Sequence, residues 1–274
     1  MSEIEILATV LLTLVARMEK YLPILMYHGV ASDRGSLPLG REIGAEIYDV
    51  DLTKFAAQME WLSEHDYHTV GIDELDSSSE QKQVILTFDD GEMNNFIHAL
   101  PVLQRLGLKG YFFVITERIG TAGYLGWDEL QQMQEAGMMI GSHSVTHRIL
   151  TSLTDDEIEI ELNLSRKHLT ERLGDKINTL SIPRGFYNDK VIKAADKIGY
   201  QNIFVSEPNG ILKSHCWSRV AVKGGWEIPR FEQAIEGIQP VKEQILDRVK
   251  QIVKKPLNGA VYNRMRDLMV GISH

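Results

Sequence analysis

Two short runs in this chain hold groups that can do chemistry. Thr87-Phe88-Asp89-Asp90-Gly91 places two adjacent carboxylates directly after the apolar segment Val84-Ile85-Leu86. Such a pair is costly to bury without compensating partners, and neighbours on a regular strand point to opposite faces. Asp89 and Asp90 can therefore share a site only where the strand ends and bends, and Gly91 supplies a bend. Taken alone, an Asp-Asp-Gly is more often a solvated turn or a helix cap. His143-Ser144-Val145-Thr146-His147 follows a second apolar segment, Met138-Met139-Ile140-Gly141. Histidines at i and i+4 lie on one face of a helical turn and can hold one ion, although such pairs are commonplace on surface helices. The combination says more. One carboxylate and two imidazoles make a three-ligand site with open positions, the arrangement of catalytic rather than structural zinc.

Two further runs sit where strands should end: Leu25-Met26-Tyr27-His28-Gly29, and Ser181-Ile182-Pro183-Arg184-Gly185-Phe186-Tyr187. The elements behind all four runs are short and apolar throughout: Pro23 to Tyr27, Gln83 to Phe88, Gly110 to Thr116, Met138 to Ser142, Asn178 to Ile182 and Asn202 to Ser206. Helical spacing separates them. Phe55, Met59 and Leu62 form one stripe, Ile97, Leu100 and Leu103 a second, and Leu130, Met133 and Ala136 a third. Thr154 with Glu157 reads as a capping box opening the helix of Ile158, Leu162 and Leu169. Strands alternating with helices imply a mainly parallel sheet, covered on both faces or closed. In barrels of parallel strands the active site is built from several strand ends at one face. Candidate groups at four strand ends raise a metal enzyme above the alternative of unrelated turns.

Composition narrows the classes. The 274 residues carry a formal charge of −9, which argues against a general nucleic-acid binder. Cys216 is the one cysteine, so an internal disulfide framework and a cysteine-rich zinc site are excluded, and nine histidines leave a His/carboxylate site open. Ile6 to Ala16 is uncharged and apolar, but shorter than the ~20 residues of a spanning helix. It follows Glu3 and Glu5 rather than the basic opening of a secretory signal. We read residues 1–21 as an amphipathic or buried helix and expect a cytoplasmic location, with the inner membrane face as an alternative. Residues 240–274 hold seven Lys or Arg against three Asp or Glu and carry two apolar stripes broken at Pro256. Residues 231–274 are expected to be a helical appendage. Its basic helices could contact an anionic membrane surface or a partner.

At these residues the chain resembles the polysaccharide deacetylase family (the NodB-homology, carbohydrate esterase family 4 group), from about Leu22 to about Val222. Thr87 to Gly91 looks like that family's first motif and His143 to His147 its second. Met26-Tyr27-His28-Gly29-Val30 looks like the subgroup acting on poly-N-acetylglucosamine, which carries a catalytic His near the N-terminus. The resemblance implies a distorted (β/α) barrel of about seven parallel strands over residues 22–230, with extra N- and C-terminal helices. It implies one divalent ion, zinc before cobalt or nickel, on Asp90, His143 and His147, and an N-acetylated glycan as substrate. Asp89 would be the general base, His28 the general acid, and the backbone N–H of Arg184 an oxyanion donor, with Tyr187 beside the substrate. The third motif departs from the family. An arginine that steadies the catalytic Asp is often found there, and Ser181 occupies the aligned position, with Arg184 three residues on as a substitute or a substrate contact. That departure keeps a catalytically weak, carbohydrate-binding or scaffold member as the alternative, alongside an amide hydrolase of another substrate. Arg148 stands where many relatives have proline. Trp217 and Trp226 are candidates for a sugar-binding groove or for plain packing.

Overall fold

The computed structural model describes residues 21–238, apart from 34, 36, 40, 43, 77, 175–176 and 207–214. The expected helix over 1–21 therefore falls outside the described residues up to residue 20, as do residues 239–274 of the expected appendage. Among the described residues, no helix is long and apolar enough to cross a membrane.

Strand β1 (Ile24–Tyr27) opens the barrel. Two-residue strands β2 (Val30–Ala31) and β3 (Val50–Asp51) pair with each other across the loop between them. Helix α1 (Leu52–Glu64), capped by Asp51 accepting from the Thr53 N–H, buries Phe55, Met59 and Leu62 as their spacing predicts. Strand β4 (Tyr67–Thr69) flanks the N-terminal half of β5 (Lys82–Phe88). Helix α2 (Leu100–Leu106), β6 (Tyr111–Val114), α3 (Trp127–Glu135), β7 (Met139–Ser142), α4 (Asp155–Leu173), β8 (Thr179–Ser181), α5 (Asp189–Ile198) and β9 (Asn202–Val205) then alternate. Strands β10 (Cys216–Ser218) and β11 (Val220–Ala221) precede α6 (Ile228–Ile235). The Thr154–Glu157 capping box opens α4 as expected.

Every pairing around the ring is parallel, in the order β10-β9-β8-β7-β6-β5-β1-β11. The two end strands of that order are one stretch of chain. Residues 216–218 pair with β9, residues 220–221 pair with β1, and Arg219 is the single residue between them. The sheet thereby forms a nearly closed, distorted (β/α) barrel. Counting β10 and β11 as one split strand gives the expected seven.

Parity decides what faces the lumen, because alternate residues of a strand share a face. Ile24, Ile85, Tyr111, Phe113 and Phe204 pack into one cluster inside the ring, with Met139 and Trp217 against it. Leu25, Tyr27, Val84, Leu86, Phe88, Phe112 and Val114 face the helices in the larger cluster. Gly141 has no room for a side chain, since a Cβ there would lie 2.5 Å from the Phe113 ring.

Two expectations on local structure need correction. Ile97 does not join the buried stripe of Leu100 and Leu103. It is 53% exposed, because residues Asn95–Ala99 form a π-helical turn whose extra residue rotates Ile97 out of phase. Residues 143–147 are an irregular turn rather than a helical one, with Ser144 and His147 at φ 63° and 62°.

Candidate metal and acid–base site

The same parity carries the site. His28 continues the lumen phase of Ile24 and Met26, and Asp89 that of Ile85 and Thr87. His143 continues that of Met139 and Gly141, and Arg219 that of Trp217. These residues form the top layer of the barrel interior, at the C-terminal strand ends. Asp90 comes next to Asp89 on the same site because the chain bends at Asp90 itself (φ 75°) and at Gly91 (φ 71°), where a Cβ would lie 2.8 Å from Val114 Cγ1. Among the described residues, four of the five positive-φ residues other than glycine, Asp90, Ser144, His147 and Arg184, belong to this region. Such conformations cost of order 1–3 kcal/mol each and persist where surrounding contacts impose them.

The imposing contacts are visible. Glu161, buried on α4, accepts hydrogen bonds from the Val145 and Thr146 N–H groups, both at 2.9 Å, and from the Thr146 hydroxyl. It thus grips the turn between the two histidines. His143 Nδ1 lies 2.8 Å from the Ser181 carbonyl, and His147 Nδ1 lies 2.9 Å from Glu42 Oε1. With each Nδ1–H donating to its acceptor, both Nε2 lone pairs face Asp90, 3.5 Å from its Oδ1. Ligand atoms of Asp90, His143 and His147 all lie within 4.8 Å of one another. Asp90 Oδ1 is buried and has no hydrogen-bond partner. A buried carboxylate oxygen left in this state, facing two imidazole nitrogens, fits a divalent cation of the zinc type. Burial works against the charged form of Asp90, but His143, His147 and His28 outweigh it and hold the carboxyl far below its ordinary range.

Asp89 is occupied differently. Arg219 donates from Nη1 to Asp89 Oδ1 and from Nη2 to Oδ2, both at 2.8 Å, and Ser181 Oγ donates to Oδ2 at 3.0 Å. Arg219 Nη1 also reaches Thr87 Oγ1 at 3.1 Å, and Nη2 reaches Ser181 Oγ at 2.8 Å. Arg219 and Asp89 are 1% and 3% exposed. Burial pushes Asp89 toward its neutral form, but the Arg219 charge, with His143 and the hydrogen bonds from Arg219, holds its pKa below the usual value.

Arg184 does not take the place of the arginine missing from the third motif. Its guanidinium binds Glu42 instead. Arg219 supplies the steadying cation, from the closure point of the barrel. The signal was a lone arginine inside the run Cys216-Trp217-Ser218-Arg219-Val220-Ala221-Val222. Glu42 and Glu161 announced themselves by no pattern. Tyr187 is partly buried against the outer core. Arg148 pairs with Glu157 at 3.2 Å on the surface. Trp217 donates to Asn202 Oδ1 and packs against the lumen cluster, while Trp226 is buried under Arg230.

His28 stands at the end of β1 with its ring centroid 5.1 Å from that of Tyr48. Asn95 donates to its carbonyl at 2.8 Å, and Asn94 Oδ1 accepts from the Val30 N–H at 2.9 Å. Its Nδ1 is buried with no hydrogen-bond partner. Burial lowers its pKa, and Asp90 and Asp89 act in the opposite direction. Asn94 in turn donates to the buried Glu92, which Arg41 Nε meets at 2.6 Å. Burial, with Asp90 nearby, pushes Glu92 up to about 7 even beside Arg41.

Comparison with known proteins bears directly on this arrangement. Residues 76–203, which contain both the Asp-Asp and the His-x-x-x-His runs, match the polysaccharide deacetylase family. YxkH of Bacillus subtilis, whose name assigns it to the polysaccharide deacetylases, is 31% identical over 227 residues, covering 80% of this chain and 77% of that protein. The chain belongs to the polysaccharide deacetylase family. The peptidoglycan-N-acetylmuramic acid deacetylase PdaA of Bacillus subtilis is 32% identical over 131 residues, 47% of this chain and 48% of that protein. Among solved structures, the polysaccharide deacetylase BC0361 of Bacillus cereus superposes with a TM-score of 0.70 at 26% identity, over 78% of this chain and 68% of that one. The Streptococcus pyogenes deacetylase PplD superposes with a TM-score of 0.68 over 80% and 98%, a likeness of fold at 22% identity. Hydrolysis of the carbon–nitrogen bond of an N-acetyl group is what the names of the N-deacetylases among these relatives, PdaA included, describe.

Proposed function

We propose that this chain is a metal-dependent deacetylase that hydrolyses the N-acetyl group of N-acetylglucosamine-type oligo- or polysaccharides. The observation that carries the reading is the contrast between the two adjacent carboxylates. Asp90 faces two imidazole nitrogens with an oxygen left over, and Asp89 is held ionised by Arg219 and faces the same space. Similarity to the poly-β-1,6-N-acetyl-D-glucosamine N-deacetylase of Staphylococcus aureus, 24% identical over 60% of this chain and 63% of that protein, supports the substrate class.

Asp90, His143 and His147 would hold the ion. When bound, a divalent ion supplies polarisation of the acetamide carbonyl and acidification of water. Asp89 accepts the proton of the attacking water at its carboxylate. Its ionised state at neutral pH follows from the bidentate Arg219 contact, and a positioned base of this kind contributes ~10²–10⁴-fold in rate. The Arg184 N–H, on the loop after β8, is the oxyanion donor in this reading, and Tyr187 flanks the sugar. His28 donates the proton to the departing amine nitrogen. Acetate and a free glucosamine unit result.

The alternative of a catalytically weak family member drew its support from the missing third-motif arginine. The pairing of Arg219 with Asp89 speaks against that alternative. The test is acetate release from N-acetylglucosamine oligomers of graded length. Release abolished by a chelator and restored by zinc, cobalt or nickel is expected. Metal binding with no acetate release from any oligomer overturns the glycan reading.

A further inference from the structure

We propose that Glu42 is a positioning residue for the metal site, delivered by the loop between β2 and β3 to fix His147 as a ligand. This rests on reading Asp90, His143 and His147 as a metal site. A histidine ligates through Nε2 only as the tautomer protonated at Nδ1, and an acceptor at Nδ1 fixes both that tautomer and the ring plane. For His143 the acceptor is a main-chain carbonyl of the barrel, Ser181 O. For His147 it is a side chain 105 residues earlier in the chain, Glu42 Oε1.

Glu42 is held where it can do this. Its neighbour Arg41 donates to both Asp49 oxygens, at 2.7 and 2.6 Å, and meets Glu92 Oε1 at 2.6 Å. The loop is seated on the barrel at both ends. Pro38 packs so closely on Gly123 that a Cβ there would lie 2.9 Å from Pro38 Cα. Ile47 O accepts from the Gly224 N–H at 3.0 Å. The same Glu42 Oε1 also accepts from the Arg184 guanidinium, which balances its charge and ties the loop to the end of β8. A carboxylate acceptor also makes the imidazole a stronger donor to a cation than a neutral carbonyl does. His147, which sits at positive φ in an irregular turn, is the ligand that needs this support most.

The experiment uses the full chain, stripped of metal and titrated with zinc against a chromophoric chelator. Wild type, Glu42→Ala, Glu42→Gln and Arg184→Ala are compared, with the cobalt-loaded visible spectrum as a second readout. Loss of such an outer partner costs ~10–100-fold in metal affinity. Glu42→Ala should show that loss and a shifted cobalt spectrum. Glu42→Gln should lose less, because its amide oxygen still accepts from Nδ1. Arg184→Ala should stay within about threefold of wild type, because it leaves the acceptor in place. Wild-type affinity in Glu42→Ala overturns the assignment. So does an equal loss in Arg184→Ala, which would make the effect one of loop docking. A wild-type chain that binds no zinc removes the metal reading and this assignment together. Zinc binding that ignores Glu42 removes this assignment alone.

Discussion

Replacing Arg219 by methionine keeps most of the side-chain volume and deletes the cation that faces Asp89. Both partners are almost fully buried, and the pair is bidentate with a third hydrogen bond from Ser181. Breaking such a pair from one side typically costs ~3–5 kcal/mol. A second route gives a similar figure. In the wild type the Asp89 pKa lies below its unfolded value, so its contribution is present above that value and lost as pH falls through the folded one. Without Arg219, burial is left as the dominant influence and the folded pKa rises instead. If Asp89 stayed protonated to pH 7 while the unfolded chain ionised at ~3.9, the variant would lose about 1.36 kcal/mol per pH unit, a ceiling of about 4 kcal/mol. The gap between wild type and Arg219→Met should therefore be small near pH 4 and widen toward pH 7. Urea unfolding of both proteins in chelator at several pH values measures it. The acid limb of the deacetylation profile should move to higher pH in the same variant. A gap independent of pH, with an unmoved acid limb, would refute the claim that Arg219 keeps Asp89 ionised.

Three further outcomes are expected. Asp89→Asn should retain zinc and lose ~10²–10⁴-fold in turnover, read by metal analysis beside acetate release, whereas His143→Ala should lose the metal itself. His28→Ala should keep the metal and slow amide cleavage far more than cleavage of an activated acetyl ester, whose leaving group needs no proton. Equal slowing of both substrates counts against the general-acid role. Glu161→Ala removes the acceptor of the half-buried Val145 and Thr146 N–H groups, at ~1–3 kcal/mol for each that finds no other partner, and should lower the metal-free melting temperature as well as zinc affinity.

Much of this molecule was legible before folding was considered. The six apolar runs became six parallel strands, because residues covered on both faces need no polar alternation. The Asp-Asp and His-x-x-x-His runs could be placed at strand ends, and the parity of Ile85-Thr87-Asp89 already pointed Asp89 the same way as the lumen residues. Local readings failed where a fixed period was assumed. The π-turn at Asn95–Ala99 shifted Ile97 by one residue, and the His turn adopted positive φ under the grip of Glu161, a contact 15 or more residues away in sequence.

What tertiary structure alone decided is which charges meet. Arg219 lies 130 residues after Asp89 and sits in a stretch too short and mixed to read as a strand. Its place follows from closure, since residues 216–218 pair with β9 and 220–221 with β1, which turns the residue between them into the lumen. Glu42 reaches His147 only because a loop anchored through Arg41, Asp49 and Glu92 crosses the barrel mouth. The residue types and local spacing mark the candidate ligands and base and the direction each strand end faces. Neutralisation of the buried carboxylates and orientation of the imidazoles depend on long-range pairs, and those form only when the sheet closes on itself.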